Sequence, residues 1–184
     1  RHALPLLHQM QQDMVLPNVI TYNAVISACE KFEEWQQALH LLVRMQLHEL
    51  EPTVITCSAA ISACKSEWLH ASLLLAAMQR NQITPNVITY NSAITACESG
   101  GHWELGLGLL AELGGSGLRP QGITYNAALS VCEKGGQWDR ALRLLSEMKS
   151  AGLPPDEVTY IATILACSSC GRWRKAMDLL DEML

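Results

Sequence analysis

Apolar residues recur along this chain in a pattern that predicts pairs of amphipathic helices. In residues 19–53 a first set has the spacing i, i+3, i+4, i+7 of one helical face: Tyr22, Val25, Ile26 and Cys29. After a short polar segment, a second set has the spacing of another helical face: Trp35, Ala38, Leu39, Leu42 and Met45. We expect Thr21 to be the N-cap of the first helix, and Pro52 to prevent the second from continuing. The pattern therefore predicts a helix–turn–helix unit.

The same unit recurs with a nearly fixed period. Ile-Thr-Tyr-Asn stands at 20–23, 88–91 and 123–126, and weaker copies begin at Ile55 and Val158, so that the starts are 35, 33, 35 and 35 residues apart. Each predicted second helix begins with a tryptophan: Trp35, Trp68, Trp103, Trp138 and Trp173. A period of this length predicts helical units that stack on one another, so we expect function on a repeated surface rather than in one pocket.

The period divides the chain into a single array of repeats. The complete repeats are 19–53, 54–86, 87–121 and 122–156, and partial repeats are expected at 1–18 and 157–184. Ala3, Leu7 and Met10 match the second helix of the first partial repeat. Because the chain begins with Arg1 and ends inside a helical pattern, we interpret it as an internal piece of a longer protein.

Composition narrows the classes of function. The chain is 49% hydrophobic and 17% charged with a net charge of −5, which argues against a general polyanion-binding surface but allows a local basic groove. No apolar run reaches membrane-spanning length, and we expect no membrane contact and no small-molecule substrate. Phosphate-binding and dinucleotide-binding motifs do not occur in the sequence, and an enzyme is poorly supported.

The cysteines and tryptophans are predicted to be structural. The seven cysteines include five at one repeat position, Cys29, Cys64, Cys97, Cys132 and Cys167. Equivalent residues of parallel units point the same way, so these cysteines are poorly placed to form disulfides with one another. We therefore expect buried thiols in a reducing compartment. The C-x-x-C at 167–170 has no second copy to complete a zinc site, so no metal and no cofactor is expected. The tryptophans are interpreted as packing between helices, and base stacking is the less favoured alternative.

The motifs resemble those of the pentatricopeptide repeat family. Val-Ile-Thr-Tyr-Asn-Ala-Val-Ile-Ser-Ala-Cys stands at 19–29, Trp-x-x-Ala-Leu-x-Leu-Leu-x-x-Met at 35–45, and Leu-x-Pro-Asp at 153–156. The resemblance covers nearly the whole chain; tetratricopeptide repeats share the architecture but have a 34-residue period and a different pattern. It implies an all-α, right-handed α-solenoid of helix–turn–helix repeats of about 35 residues. It also implies single-stranded RNA binding in an organelle, a chloroplast or mitochondrion, for RNA processing, stability or translation.

The resemblance also implies which residues contact RNA. In that family two residues set base preference. One directly follows the tyrosine of the first helix, and the other directly follows the proline that closes the repeat. The corresponding pairs are Asn23 with Thr53, Ser58 with Asn86, Asn91 with Gln121, and Asn126 with Asp156. Ser/Asn resembles the adenine type and Asn/Asp the uracil type; the other two pairs imply only a weak pyrimidine bias, and Ile161 departs from the pattern. The aliphatic residues that resemble base-sandwiching ones are Ile20, Ile55, Ile88, Ile123 and Val158. Lys31 and Lys134 are candidate phosphate contacts.

Two alternatives remain open from the residues themselves. Asn23 lies about 100° of helix beyond Tyr22 and can face a groove, where its amide both donates and accepts. An Asn at this position can instead brace the first turn of the helix. The alternative function is a protein-interaction scaffold that binds a peptide or partner protein in the same groove.

Overall fold

The computed structural model describes residues 9–10 and 15–183. Over residues 15–183 it contains α-helices and no strand. The helices are α1 Val19–Glu30, α2 Trp35–Leu47, α3 Val54–Ala63, α4 Trp68–Arg80, α5 Val87–Ala96, α6 Trp103–Gly115, α7 Gly122–Lys134, α8 Trp138–Ser150, α9 Glu157–Ser169 and α10 Trp173–Met183. The half-repeat expected at 1–18, with Ala3 and Leu7, lies outside the described residues apart from its positions 9, 10 and 15–18. None of the helices described is long and apolar enough to cross a membrane.

Each first helix begins directly after the residue that follows a proline. Asn18 is the N-cap of α1, and its Oδ1 accepts the Thr21 N–H at 3.0 Å. Thr21 was expected to be the N-cap, and this prediction was wrong: it is the third helical residue, and its hydroxyl faces the Asn18 backbone N–H at 3.5 Å. The two residues form a reciprocal capping box, in which each side chain bonds the other's backbone. The residue after the proline therefore caps the helix, and the threonine braces the cap.

The chain falls into two compact halves, one ending at Ser92 and the other beginning at Ala93. In the N-terminal half, α1 packs against both α2 and α3. The predicted face of α1 forms the core of this half, because all four of its predicted residues are buried. Ala38, Leu41 and Met45 of α2 meet this face and are fully buried. The periodicity therefore predicts the first helix and its core face correctly.

The C-terminal half repeats this arrangement. Helix α7 packs against α8 and α9, and α9 packs against α10. Leu145, Cys167 and Leu179 form a buried cluster between α8, α9 and α10. Within each half, one first helix thus packs on the next, α1 on α3 and α7 on α9, and the second helix between them, α2 or α8, contacts both.

The buried stripe of the second helices is wider than the sequence pattern predicts. Leu42 was expected on the apolar face of α2 and Leu41 was not, but Leu41 is fully buried and Leu42 only half-buried. Likewise Leu109 is buried in α6 and Leu179 in α10, whereas Leu180 is 37% exposed. Helix α2 packs against two first helices, α1 and α3, so the apolar residues of more than one face are covered.

Two glycines just past second helices, Gly117 after α6 and Gly152 after α8, have a left-handed backbone. Gly117 and Gly152 have φ values of +78° and +74°, as in helices that end with a glycine one residue beyond the C-cap. The equivalent residues of the first two complete repeats are Glu49 and Gln82, which adopt φ of +57° without being glycine. These helix ends therefore have one backbone geometry although their sequences differ.

Candidate nucleic-acid interface

One aliphatic side chain per repeat is exposed to solvent on the first turn of the first helix. The exposed fractions are 76% for Ile20, 64% for Ile55, 65% for Ile88, 69% for Ile123 and 57% for Val158. Next to these residues in sequence the helix buries its side chains, as Thr56 and Cys57 beside Ile55 show. Five exposed β-branched residues at one repeat position stabilise no core. We name these five residues the aliphatic set.

The first predicted reading position lies three residues after the aliphatic one, on the same side of the helix. Asn23, Asn91 and Asn126 are half-buried at this position, and Ser58 is buried with 7% exposure. Asn23, Ser58 and Asn126 each form a hydrogen bond with the capping-box threonine of the next repeat's first helix. These three residues are thus bonded to the following repeat rather than to their own first turn, where the bracing alternative had placed such a residue.

Asn126 is the most extensively bonded of these residues. Its Nδ2 donates to Asp156 Oδ1 and Oδ2 at 3.1 and 3.2 Å, and its Oδ1 lies 2.7 Å from the Thr159 hydroxyl oxygen. The carboxylate can only accept, so it fixes the amide with the nitrogen toward Asp156. The pair predicted from the sequence is therefore in direct contact in the structure.

Asp156 is held as an anion by the same contacts. Its pKa is lowered from its usual value, first by the Thr159 hydroxyl, then by the Thr159 backbone N–H, and further by the Asn126 amide. All three donate to the carboxylate, which stabilises its charged form. Asp156 is also the N-cap of α9, so one side chain both begins a helix and stands at a predicted reading position.

Ser58 and Asn86 are connected through Thr89. The hydroxyls of Ser58 and Thr89 are 2.7 Å apart, and Thr89 donates to Asn86 Oδ1 at 3.0 Å. Asn86 Oδ1 also accepts the Thr89 backbone N–H at 2.9 Å. Because Thr89 has one hydroxyl proton and gives it to Asn86, Ser58 donates to Thr89. The Asn86 amide nitrogen makes none of these three bonds.

The other two pairs are less complete. Asn23 Oδ1 accepts from the Thr56 hydroxyl at 2.5 Å, and Thr53 caps α3 through the Thr56 N–H. Asn91 Oδ1 is buried and has no hydrogen-bond partner among the residues that the structure describes. Gln121 is exposed, and its backbone N–H donates to Thr124 at 3.0 Å.

The threonines are the part of this site that sequence reasoning missed. A threonine follows the aliphatic residue in every repeat: Thr21, Thr56, Thr89, Thr124 and Thr159. The last four are fully buried. The recurrence of a polar residue at one position of five repeats could have indicated this role. Because Thr21 was interpreted as an N-cap, the contact of these threonines with the preceding repeat was not predicted.

The remaining candidates take ordinary positions. Lys31 is the exposed C-cap residue of α1, and Lys134 is exposed at the end of α7, where it bonds Glu133 at 3.2 Å. Ile161 is 43% exposed and offers a base edge no hydrogen bond. These residues lie on the surface, and their contact with RNA stays a prediction.

Three of the five tryptophans, Trp35, Trp103 and Trp138, pack between consecutive repeats, as predicted, whereas Trp173 is 64% exposed. The ring centroids of Trp35 and His70 are 4.5 Å apart. The Arg140 guanidinium lies 4.5 Å from the ring centroid of Trp103, and the Arg172 guanidinium lies 4.8 Å from that of Trp138. Each partner belongs to the following repeat. A guanidinium over an indole face is a favourable contact, so these rings are covered by protein rather than free for bases.

The cysteines are free thiols, and the five at the repeat position are buried, as predicted. Burial raises the pKa of Cys57, Cys64, Cys97 and Cys132 to about 11 in each case. Cys170 is half-buried, and its thiol donates to the Gly136 carbonyl at 3.2 Å. In the part of the chain that the structure describes, no three His, Cys, Asp or Glu side chains are grouped to hold a metal ion.

We expect one fast-reacting thiol in the folded protein. Thiolate is the reactive form, so thiols with a pKa of about 11 react slowly at pH 8. Titration with a chromogenic disulfide should show one fast equivalent from Cys170 and all seven after denaturation. The Cys170→Ser variant should lose the fast phase. Three or more fast equivalents in the native protein would contradict the buried-thiol interpretation.

Most of the chain matches known helical-repeat families. Residues 17–66 and 120–169 match the PPR repeat family, residues 88–118 and 158–184 match the PPR repeat, and residues 70–100 match the pentatricopeptide repeat domain. A search of curated protein sequences gave no match.

Several solved structures share the fold. The crystal structure of pentatricopeptide repeat protein PPR10 from maize is 28% identical with a TM-score of 0.78, over 98% of this chain and 26% of that one. PPR10 in complex with an 18-nucleotide psaJ RNA element is 25% identical with a TM-score of 0.83, over 97% of this chain and 26% of that one. The PPR domain of Arabidopsis thaliana protein-only RNase P 1 in complex with tRNA is 16% identical with a TM-score of 0.73, over 86% and 84% of the two chains; at this identity it shows the fold alone. The all-α repeat solenoid is thereby confirmed. The chain spans about a quarter of the length of PPR10.

Proposed function

The chain belongs to the pentatricopeptide repeat family, and we propose from this membership that it binds single-stranded RNA with one base addressed by each complete repeat. The observation that carries the proposal is the aliphatic set, whose five members are all more than half exposed at one position of the first helices. A flat apolar contact suits the faces of unstacked bases, which is how proteins hold single-stranded RNA.

The polar groups beside the aliphatic set fit the edges of bases. Asn126 keeps a second amide proton beyond the one directed at Asp156, and Asp156 offers carboxylate lone pairs. Uracil presents carbonyl acceptors on either side of an N–H donor, so an amide donor next to a carboxylate acceptor complements it. We assign uracil to this repeat and adenine to the repeat with Ser58 and Asn86.

The role we propose is binding in support of RNA processing, stability or translation in an organelle, as the family resemblance implies. PPR10 is described in complex with an RNA element, which supports RNA as the ligand class for a related chain. Binding by this segment alone is weak, because four complete repeats address about four bases on a chain of net charge −5.

A titration against short RNA strands tests this function. We expect a strand with the bases U-A-U-U, flanked by abasic nucleotides, to bind about tenfold more tightly than U-U-A-U, since two bases are then mismatched. The two strands have the same composition and charge, so the difference measures base recognition alone. Affinity should also fall with salt, with a slope of log K against log salt of about −1.4 if Lys31 and Lys134 neutralise two phosphates.

The same titration separates RNA binding from the scaffold alternative. An apolar peptide groove would give RNA affinities without base preference, and any peptide bound there would hold at high salt. Equal affinity for U-A-U-U and U-U-A-U would contradict base-by-base recognition.

A further inference from the structure

Three buried threonines each connect the two residues of one predicted reading pair: Thr56, Thr89 and Thr159. We propose that these threonines are positioning residues for base recognition, each setting the orientation of a reading pair without contacting the base. The inference rests on the RNA-binding function proposed above and adds residues to it that neither reading position includes.

Burial separates these threonines from any ligand. Thr56, Thr89 and Thr159 each have 0% of their surface exposed, so a base cannot reach their hydroxyls while the helices keep this packing. Their effect on RNA must pass through the side chains that they bond. Those side chains are the two members of one predicted reading pair, and both belong to the repeat that precedes the threonine.

Each threonine makes the same two kinds of contact. Its hydroxyl accepts the backbone N–H of the helix N-cap, at 3.0 Å from Thr53, 3.1 Å from Asn86 and 3.1 Å from Asp156. The same hydroxyl meets the reading side chain of the preceding repeat, at 2.5 to 2.7 Å. A capping box needs only the first contact, so the second is additional to helix capping.

The single hydroxyl proton couples the two reading side chains. Thr159 Oγ1 lies 2.7 Å from both Asn126 Oδ1 and Asp156 Oδ1, yet it can donate to only one at a time. A donor on a base edge, such as the uracil N–H, can then occupy the acceptor that Thr159 leaves. The position of the Thr159 proton therefore decides whether the Asn126 amide oxygen or the Asp156 carboxylate is left to accept a hydrogen bond from the base.

Valine and serine substitutions at Thr159 test the proposal. Thr159→Val keeps the shape but removes the hydroxyl, whereas Thr159→Ser keeps the hydroxyl. Thr163→Val is the matched control, because Thr163 is equally buried on α9 but donates to the Thr159 backbone carbonyl at 2.8 Å instead of to a reading residue. Each protein is titrated with U-A-U-U and with U-A-U-G, and the ratio of the two affinities is compared.

We expect Thr159→Val to lower the U-to-G ratio by about fivefold or more, the scale of one specific base contact. Thr159→Ser should restore most of the ratio, and Thr163→Val should leave it unchanged even if it lowers the melting temperature as much. A ratio that stays at the wild-type value in Thr159→Val, whatever its stability, would overturn the positioning role while leaving RNA binding intact. A wild-type protein without preference between the two strands would overturn both this inference and the proposed function.

A second readout follows the positioning directly. In the free proteins, the side-chain amide resonances of Asn126 should shift in Thr159→Val and remain close to wild type in Thr163→Val and Thr159→Ser. Unchanged Asn126 resonances in Thr159→Val would mean that the hydroxyl does not orient the amide, and the proposal would be wrong.

Discussion

Replacing Ile123 and Val158 together by serine should weaken RNA binding by about a hundredfold without unfolding the protein. Burying an aliphatic side chain against bases stabilises a complex by about 1.5 kcal/mol or more, so the loss of two such contacts costs about 3 kcal/mol. In the free protein both side chains are more than half exposed and contribute little to the core. Surface changes of this kind usually alter folding stability by less than about 0.5 kcal/mol, and serine has a helix propensity similar to that of isoleucine.

A second double variant controls for the loss of apolar surface. Leu69 and Leu73 on α4 are 49% and 56% exposed but lie outside the aliphatic set. Leu69→Ser with Leu73→Ser should leave the affinity for U-A-U-U within about twofold of wild type, because surface positions outside a contact are energetically near-neutral. An equal loss in both double variants would indicate non-specific attachment, and no loss in Ile123→Ser with Val158→Ser would show that the aliphatic set does not contact bases.

The fold could be predicted to a large extent because helical repeats carry their contacts locally. Tyr22, Val25, Ile26 and Cys29 have the helical period, and all of them are buried in the structure. Leu41 was missed because its burial depends on how many neighbouring helices cover α2, which no periodicity within α2 can indicate. The start of α1 was misplaced by three residues because Asn18 and Thr21 are both suitable N-caps, and only backbone geometry distinguishes them.

The candidate site could be predicted in position but not in bonding. The resemblance paired Asn126 with Asp156 and Ser58 with Asn86, and the structure adds that a buried threonine joins the members of each pair. Such a bond spans about 30 residues of sequence and depends on the stacking of two first helices. Sequence pattern alone identifies the residues that repeat but not the atoms that meet.

Helix capping and the proposed base recognition use the same residues in this protein. Asp156 begins α9, accepts from Thr159 and orients the Asn126 amide. Each of these bonds uses hydrogen-bonding capacity that would otherwise be free for a base, and in return it fixes where the remaining lone pairs and protons point. A rigid donor and acceptor bind a matching base more tightly than mobile ones, because less side-chain entropy is lost on binding.

Asn126→Ser should convert the uracil preference of its repeat into a guanine preference. The substitution removes the amide that donates to Asp156, so the carboxylate becomes free to accept from the N–H groups of guanine. The Ser/Asp pair also resembles the guanine-type pair of the family. The U-to-G affinity ratio, measured with U-A-U-U and U-A-U-G, should change by about 1–2 kcal/mol, the scale of one specific base contact.

The fold itself offers a precedent for the serine. Ser58 occupies the same repeat position and lies 2.7 Å from the Thr89 hydroxyl, so a serine at 126 can keep the contact with Thr159. We therefore expect the melting temperature of Asn126→Ser to change little. Asn126→Ala is the matched control: it also frees Asp156 from the amide but offers no hydroxyl, and it should lose affinity for the uracil strand with a smaller gain for the guanine strand. If Asn126→Ser weakens both strands equally and lowers the melting temperature, Asn126 serves as a brace between repeats, and its assignment as a reading residue is wrong.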